Sequence, residues 1–244
     1  MIFWVRLMTN FDSIKNVYNL IAEHFSQTRS WVADDLRVLG TYVHPGDSVL
    51  DLACGNARLY QLFVEESRAD TITYVGVDIS QKQLEMARKR FPGINVKLGE
   101  MTQIPCPNAN FDVVYCLAAF HHLATDEERL QTLREIFRVL KPDGTLVMTN
   151  WNLYSEWAKE KLKNENWKFG DDKKEIVIPW KGANGNVIAE RLYYAYTPAE
   201  ITGWCTEAGL GVEKQYESSK KGSGDFRGKE EGMNIVTIAK KPAY

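Results

Sequence analysis

The sequence predicts an α/β protein built on one doubly wound, mostly parallel seven-stranded sheet whose last strand runs antiparallel. Three observations carry this. Short apolar runs alternate with helical patterns from Val49 to Asn150 over brief connections, and such alternation means parallel strands with helices on both faces. Helix starts carry local marks: Ser80 with Gln83, Thr125 with Glu128 and Thr197 with Glu200 have capping-box spacing, and Pro198 suits a first helical turn. Two final apolar runs, Gly211 to Tyr216 and Asn234 to Ala239, form a hairpin that places the last strand antiparallel in the sheet.

Taken in order, Met1 to Met8 is apolar but is interrupted by Arg6, lacks a basic n-region and is too short for a secretory signal. Asp12 caps a helix over 13–25, in which Ile14, Val17, Tyr18, Ile21 and Phe25 share one face. A second helix runs from Trp31 to Tyr42 and stops before His44-Pro45-Gly46. Both precede the first strand, so they are expected to lie across the carboxyl edge of the sheet as a lid. The five parallel strands are Val49 to Asp51, Tyr74 to Asp78, Ile94 to Leu98, Phe111 to Leu117 and Gly144 to Asn150, the last following a turn over Leu140 to Gly144. A helix from Trp151 to Asn164 comes next, then a hairpin of Glu175–Trp180 and Val187–Tyr196 joined through Gly182 and Gly185, and a capped helix from Thr197 to Ala208. One domain results: a helical lid (1–45), a ligand-binding core (46–150), a substrate-side insertion (151–196) and a closing helix with its hairpin (197–244).

Composition narrows the function classes. With 44% hydrophobic and 25% charged residues in 244, the chain is an ordinary globular protein with one large core. Its net charge of −2 provides no global field for nucleic acid or an anionic membrane, so any RNA contact must be local. The Lys/Glu-rich stretch 156–175 is balanced and reads as a solvated face; the remaining basic cluster is Lys220, Lys221, Arg227 and Lys229 around Phe226. Cys54, Cys106, Cys116 and Cys205 show no Cys-x-x-Cys spacing and make no zinc pattern with the four histidines, so no metal is expected and the thiols read as buried ones in a reducing cytoplasm. No run approaches the roughly 20 apolar residues that cross a bilayer.

The most informative stretch is Asp47 to Ala57, a strand that ends in an acid, turns at Gly55 and enters a helix. Gly55 lets a ligand approach bare backbone. Asp51 repels a pyrophosphate there and favours a ligand with a positive end. Asp78, closing the next strand 27 residues later, can accept hydrogen bonds from both hydroxyls of a ribose, and Gly99-Glu100-Met101 after the third strand can meet an adenine amine. With these features in this order, roughly residues 12 to 240 resemble class I S-adenosylmethionine-dependent methyltransferases. The resemblance implies a Rossmann-like methyltransferase fold and S-adenosyl-L-methionine as cofactor. It implies Asp51 on the methionyl ammonium, Asp78 on the ribose, and Tyr18, Arg29, Ala53, Gly55, Asn56, Ile79, Glu100, Met101 and Leu117 as further cofactor neighbours. Ala57 stands where the family's loop often has a third glycine.

The segments Tyr18 to Arg29, Ala118 to Thr125 and Arg191 to Tyr196 are similar to those of the tRNA wobble-uridine methyltransferases that esterify a 5-carboxymethyl group. That resemblance implies a carboxylate nucleophile, which needs orienting cations rather than a base; Arg29 and Arg191 are the candidates, and His121 and His122 face the methyl group in the family. Arg29 can instead clamp the methionyl carboxylate, and one histidine can simply satisfy a backbone carbonyl. The family's tryptophan-proline is here Trp31-Val32. The implied partners are tRNA and a small zinc-binding activator subunit, with no membrane and a cytoplasmic location. Two alternatives stand: a small-molecule methyltransferase for a carboxylic acid or quinone-type metabolite, its pocket lined by Trp180, Tyr193, Tyr194 and Tyr196, and a non-catalytic cofactor-binding scaffold.

Overall fold

A strand covered on both faces must be apolar on both, and β1 (Ser48–Leu52) meets that demand, with Val49, Leu50 and Leu52 fully buried. In the computed structural model, which describes residues 10–32, 34–170, 174–218 and 232–243, β1 stands in the middle of a seven-stranded sheet. It is preceded by α1 (Asn10–Thr28), α2 (Asp34–Leu39) and a 3-10 turn over 40–42. After it come α3 (Arg58–Glu65), β2 (Thr73–Asp78), α4 (Gln81–Arg90), β3 (Val96–Leu98), β4 (Phe111–Leu117), α5 (Asp126–Val139) and β5 (Leu140–Trp151). The insertion holds α6 (Glu156–Asn164), β6 (Lys168–Phe169), β7 (Glu175–Lys181) and β8 (Val187–Tyr194), and the chain closes with α7 (Pro198–Glu207), β9 (Gly211–Ser218) and β10 (Asn234–Lys240).

The strand order is β3-β2-β1-β4-β5-β10-β9, parallel throughout except for β10, which runs antiparallel to both β5 and β9. The two sheet faces carry separate apolar layers. Leu50 and Leu52 of β1 pack with Leu133 and Ile136 of α5 and Ile201 of α7. Val49 packs with Leu36 of α2, Leu62 and Phe63 of α3 and Leu84 of α4. The expected doubly wound fold is therefore present, and so are the predicted capping boxes of α5 (Thr125 with Glu128) and α7 (Thr197 with Glu200).

Several boundaries differ from the sequence expectation. Helix α1 begins at Asn10, so Asp12 is not its cap; it also runs three residues past Phe25. The second helix covers only Asp34–Leu39 of the expected Trp31–Tyr42, because Ser30 and Val32 belong to a loop fastened elsewhere. Helix α6 starts at Glu156, not Trp151: Trp151 still pairs with Asn234 in the sheet, and the Ser155 hydroxyl accepts from the Ala158 amide as the cap. The turn over Leu140–Gly144 is absorbed into β5, with Asp143 at φ 60° and a register shift against β4 opposite Phe111 and Val113. The insertion is a three-stranded sheet rather than a hairpin, since Lys168–Phe169 adds an edge strand too short to show in the pattern. It has its own core of Leu153, Trp167, Ile176, Ile178 and Tyr193. The Lys220–Lys229 cluster and Met1–Met8 lie outside the described residues.

Candidate active site

The loop from β1 to α3 is wound left-handed at three alternate positions, Ala53 (φ 61°), Gly55 (φ 54°) and Ala57 (φ 60°). Alanine at two of them is strained relative to glycine, yet Ala57 is completely buried and holds α3 close to the sheet. At Gly55 a Cβ would be in ordinary contact with Phe25 at 3.8 Å and Gln83 Oε1 at 3.9 Å, so the left-handed φ, more than a clash, is what favours glycine there. The loop is tied to β2 by the Gly55 amide donating to Asp78 Oδ2 at 2.8 Å, while Asp78 Oδ1 accepts from the Ser80 amide at 2.8 Å. Two bonds leave a carboxylate with lone pairs to spare.

Both acids are buried. Burial pushes the Asp78 carboxyl up to about 6 against the pull of the two amides. Asp51 is pushed up to about 7 by burial, and the nearby Asp78 charge acts in the same direction; the Tyr74 hydroxyl, donating to Asp51 Oδ2 at 2.7 Å, opposes both. Two adjacent carboxyls destabilised as anions form a site that gains from a cation or a polyhydroxyl ligand. Next to them opens a cleft lined by Ala53, Asp78, Ile79, Met101 and His122, with Ile14 of α1 also in its wall. The diol-accepting acid and the left-handed turn suit S-adenosylmethionine.

On the opposite side of His122 lies a second constellation. Arg29, at the end of α1, and Arg191, on β8, both stand over the Trp180 ring, at 5.6 and 4.7 Å from its centre. Arg29 also covers Phe25, and Arg191 covers Tyr193. Arg29 donates to the Thr28 carbonyl and Arg191 to the Tyr193 hydroxyl; among the described residues neither has an acid partner. Burial, and then the neighbouring Arg191 charge, lower the Arg29 pKa. Arg191 is 7% exposed, and its Nε has no hydrogen-bond partner. A buried guanidinium without a counter-charge is costly.

A directed chain of hydrogen bonds connects this pair to the cleft. His122 Nδ1 lies 2.8 Å from the Leu192 carbonyl and must carry the proton, so Nε2 accepts from the Tyr18 hydroxyl at 2.9 Å. Tyr18 in turn is within reach of Tyr193, which receives Arg191. His122 is thus satisfied at both nitrogens, and burial lowers it to about 4. His121 differs. Its Nδ1 accepts from the Trp151 amide at 3.2 Å, which leaves the proton on a buried Nε2 that has no partner. Burial, His122 and Arg191 keep it neutral against a weaker pull from the Ala118 backbone.

The structure brings most of the predicted residues together, though not all in the expected way. Ala53, Asp78, Ile79, Met101 and His122 line the cleft; Asp51, Gly55, Asn56 and Leu117 surround it without lining it, and Glu100 is exposed beside it. The Asn56 amide donates to the lid, to Ser26 Oγ at 3.3 Å and to the Arg29 carbonyl at 3.2 Å. Tyr194 and Tyr196 are turned away from Trp180 and pack on Arg129, so they do not belong to the aromatic wall of the insertion. Sequence reasoning took Gln83 only as a capping-box partner. Its amide N–H does bond Ser80 Oγ, but the side chain does not return the bond. It is buried at 1% exposure with neither Nε2 nor Oε1 paired.

Comparison with known proteins bears on the domain and the fold. Residues 49–144 match the family described as methyltransferase domain. The mouse (Mus musculus) tRNA (carboxymethyluridine(34)-5-O)-methyltransferase is 29% identical over 154 residues, covering 62% of this chain and 21% of that protein. The chain spans about a fifth to a third of the length of such curated relatives. Among solved structures, the CcbJ methyltransferase of Streptomyces caelestis superposes with a TM-score of 0.72 at 16% identity, over 93% of this chain and 98% of that one. A Haloferax volcanii chain solved in complex with the Trm112 methyltransferase activator does so with a TM-score of 0.66 at 18% identity, over 95% and 99%. Residues 49–144 thus match a methyltransferase domain, and the sheet that they build has the fold of the solved methyltransferases on which the chain superposes.

Proposed function

We propose that this chain methylates a carboxylate oxygen, and that the carboxylate is the carboxymethyl group of a modified wobble uridine in tRNA. The observation that carries the reading is the pair of guanidiniums on Trp180 with no acid partner among the described residues. A planar anion between two such forks relieves two uncompensated charges at once and can be held bidentately. S-adenosylmethionine, when bound, supplies an electrophilic methyl group on a sulfonium. Asp51 is suited to its ammonium and Asp78 to its ribose, with Ile79 and Met101 beside the adenine. Arg191 and Arg29 hold the acceptor, and the unpaired Nε2–H of His121 is a further donor toward it. No general base is needed, because a carboxylic acid near pKa 4 is already ionised at pH 7. His122 accordingly serves as a support for Tyr18 rather than as a base.

The tRNA acceptor is favoured by the mouse relative, whose name states that activity, and the activator subunit by the Haloferax volcanii neighbour. A tRNA acceptor also implies a cytoplasmic site of action. No helix among the described residues is long and apolar enough to cross a membrane. The test is transfer of radiolabelled methyl groups to total tRNA and, in parallel, to a small-molecule extract, with and without a Trm112-type activator. A methyl ester releases its label as methanol in mild alkali. Alkali-stable label refutes the carboxylate reading, alkali-labile label confined to the extract moves the acceptor to a small carboxylic acid, and binding without turnover on either makes the chain a scaffold.

A further inference from the structure

We infer that Gln83 is a cofactor-binding residue which, together with Asp78, forms a two-element clamp for the vicinal hydroxyls of the adenosyl ribose. The inference rests on the cofactor and is independent of the acceptor. Gln83 lies in the first turn of α4, and Asp78 ends β2, yet both converge on Gly55. The carboxylate receives the Gly55 amide at 2.8 Å, and Gln83 Oε1 lies 3.9 Å from the point where a Cβ on that glycine would sit. Asp78 also lines the cleft, and the Gln83 amide, 1% exposed, meets it at the same turn. Phe25 of α1 approaches the same point at 3.8 Å.

A primary amide buried with both of its polar atoms unpaired is unfavourable in the free protein, and its persistence calls for a ligand that pairs it. The chemistry of the site selects that ligand. An anion there is opposed by Asp78. An ammonium suits Asp78 but leaves the two amide protons of Gln83 without an acceptor. A hydroxyl both donates and accepts, as the amide does, so of two adjacent hydroxyls one donates to the acceptor-only carboxylate while the other pairs with the amide. Such a site discriminates sharply against an analogue that lacks one hydroxyl, because the protein group is then left unpaired in a dry environment.

The experiment uses the full chain and compares the parent with Gln83→Leu, a near-isosteric apolar replacement. Calorimetry with S-adenosylhomocysteine and with its 2′-deoxy and 3′-deoxy forms is paired with thermal melting in the absence of ligand. The parent should bind the complete ribose and reject at least one deoxy form. In Gln83→Leu the affinity for S-adenosylhomocysteine should fall about tenfold, the rejection of that deoxy form should shrink by a similar factor, and the unliganded melting temperature should stay level or rise. Unchanged affinity and discrimination overturn the inference while leaving the cofactor reading intact. A lower unliganded melting temperature with uniformly weakened binding of all three ligands also overturns it, as the mark of a packing role. A parent that binds no adenosyl ligand refutes the cofactor reading itself. Gln83→Met, unbranched and similar in length, repeats the comparison if the leucine variant does not fold.

Discussion

Paired to the cofactor's ammonium as proposed, the buried Asp51 carboxyl should make cofactor affinity depend on pH, weaker on the acid side. With Asp51 titrating at about 7 in the free protein, it is about one-tenth ionised at pH 6 and about three-quarters ionised at pH 7.5. A ligand ammonium pairs only with the ionised form, so binding should weaken about eightfold between pH 7.5 and 6. Asp78, at about 6, adds a further factor of about two. Calorimetry of S-adenosylhomocysteine binding in two buffers of different ionisation enthalpy gives both the affinity and the protons exchanged. About 0.9 proton should leave Asp51 on binding at pH 6 and about 0.25 at pH 7.5. Asp51→Asn keeps an acceptor for the Tyr74 hydroxyl and removes the titration. Its affinity should be lower at pH 7.5 by about 30- to 150-fold, or 2–3 kcal/mol, and much flatter with pH. Stability of the free protein should move the opposite way. An aspartate near 3.9 when unfolded and near 7 when folded contributes stability below pH 4 that is lost as pH rises through 7, so Asp51→Asn should melt higher than the parent at pH 8. Equal affinities at pH 6 and 7.5 with no proton release would falsify the assignment of Asp51 to a cation.

Three further outcomes are expected. Gly55→Val should leave a folded chain, since a Cβ there meets no neighbour closer than 3.8 Å, but should abolish retention of cofactor through gel filtration, because a β-branched side chain crowds the turn and resists φ 54°; retained cofactor places the ligand elsewhere. Arg191→Lys should lower kcat/KM for the acceptor by at least tenfold with cofactor affinity unchanged, since a point charge lacks the planar fork, and a loss confined to cofactor binding refutes the acceptor role. Asn56→Ala releases the Ser26 and Arg29 contacts of the lid; proteolysis near Ser26–Ser30 should then quicken in the free protein and slow again with S-adenosylhomocysteine, whereas equal cutting in parent and variant argues against a latch.

What the sequence made legible is what local chemistry dictates. Thr125 with Glu128 and Thr197 with Glu200 close their boxes because both partners lie within one turn, and the left-handed Gly55 follows from a strand-to-helix reversal. Long-range placement was less visible. Ser80 with Gln83 has the same spacing as the other two boxes, but the Ser80 hydroxyl donates to Asn19, sixty-one positions away on α1, and the Gln83 side chain points to Gly55. Trp151 reads as helical until the strand is extended by pairing with Asn234. Arg29 and Arg191 were identifiable one at a time, by resemblance, whereas their shared seat on Trp180 depends on β7 and β8 folding back over α1.

The charge layout of this chain of net charge −2 suits the two oppositely charged ligands of the proposed reaction. Asp51 and Asp78 are buried on the cofactor side with no buried basic partner hydrogen-bonded to either, and Arg29 and Arg191 stand on the acceptor side with no acid partner among the described residues. Direct pairing of the two sets would neutralise both and leave nothing for a ligand. They are kept apart by a neutral layer, His121 and His122 with Tyr18 and Tyr193: burial prevents the histidines from charging, and a chain of contacts leads from Arg191 through Tyr193, Tyr18 and His122 to the Leu192 carbonyl, while His121 accepts from the Trp151 amide. In the proposed complex the cofactor's ammonium pairs with Asp51 and the acceptor carboxylate with Arg29 and Arg191, and the carboxylate must reach past this layer to touch the sulfonium's methyl group directly. Each ligand relieves its own set of charges, and it is the attraction between the bound sulfonium and the bound carboxylate that ties cofactor affinity to acceptor affinity.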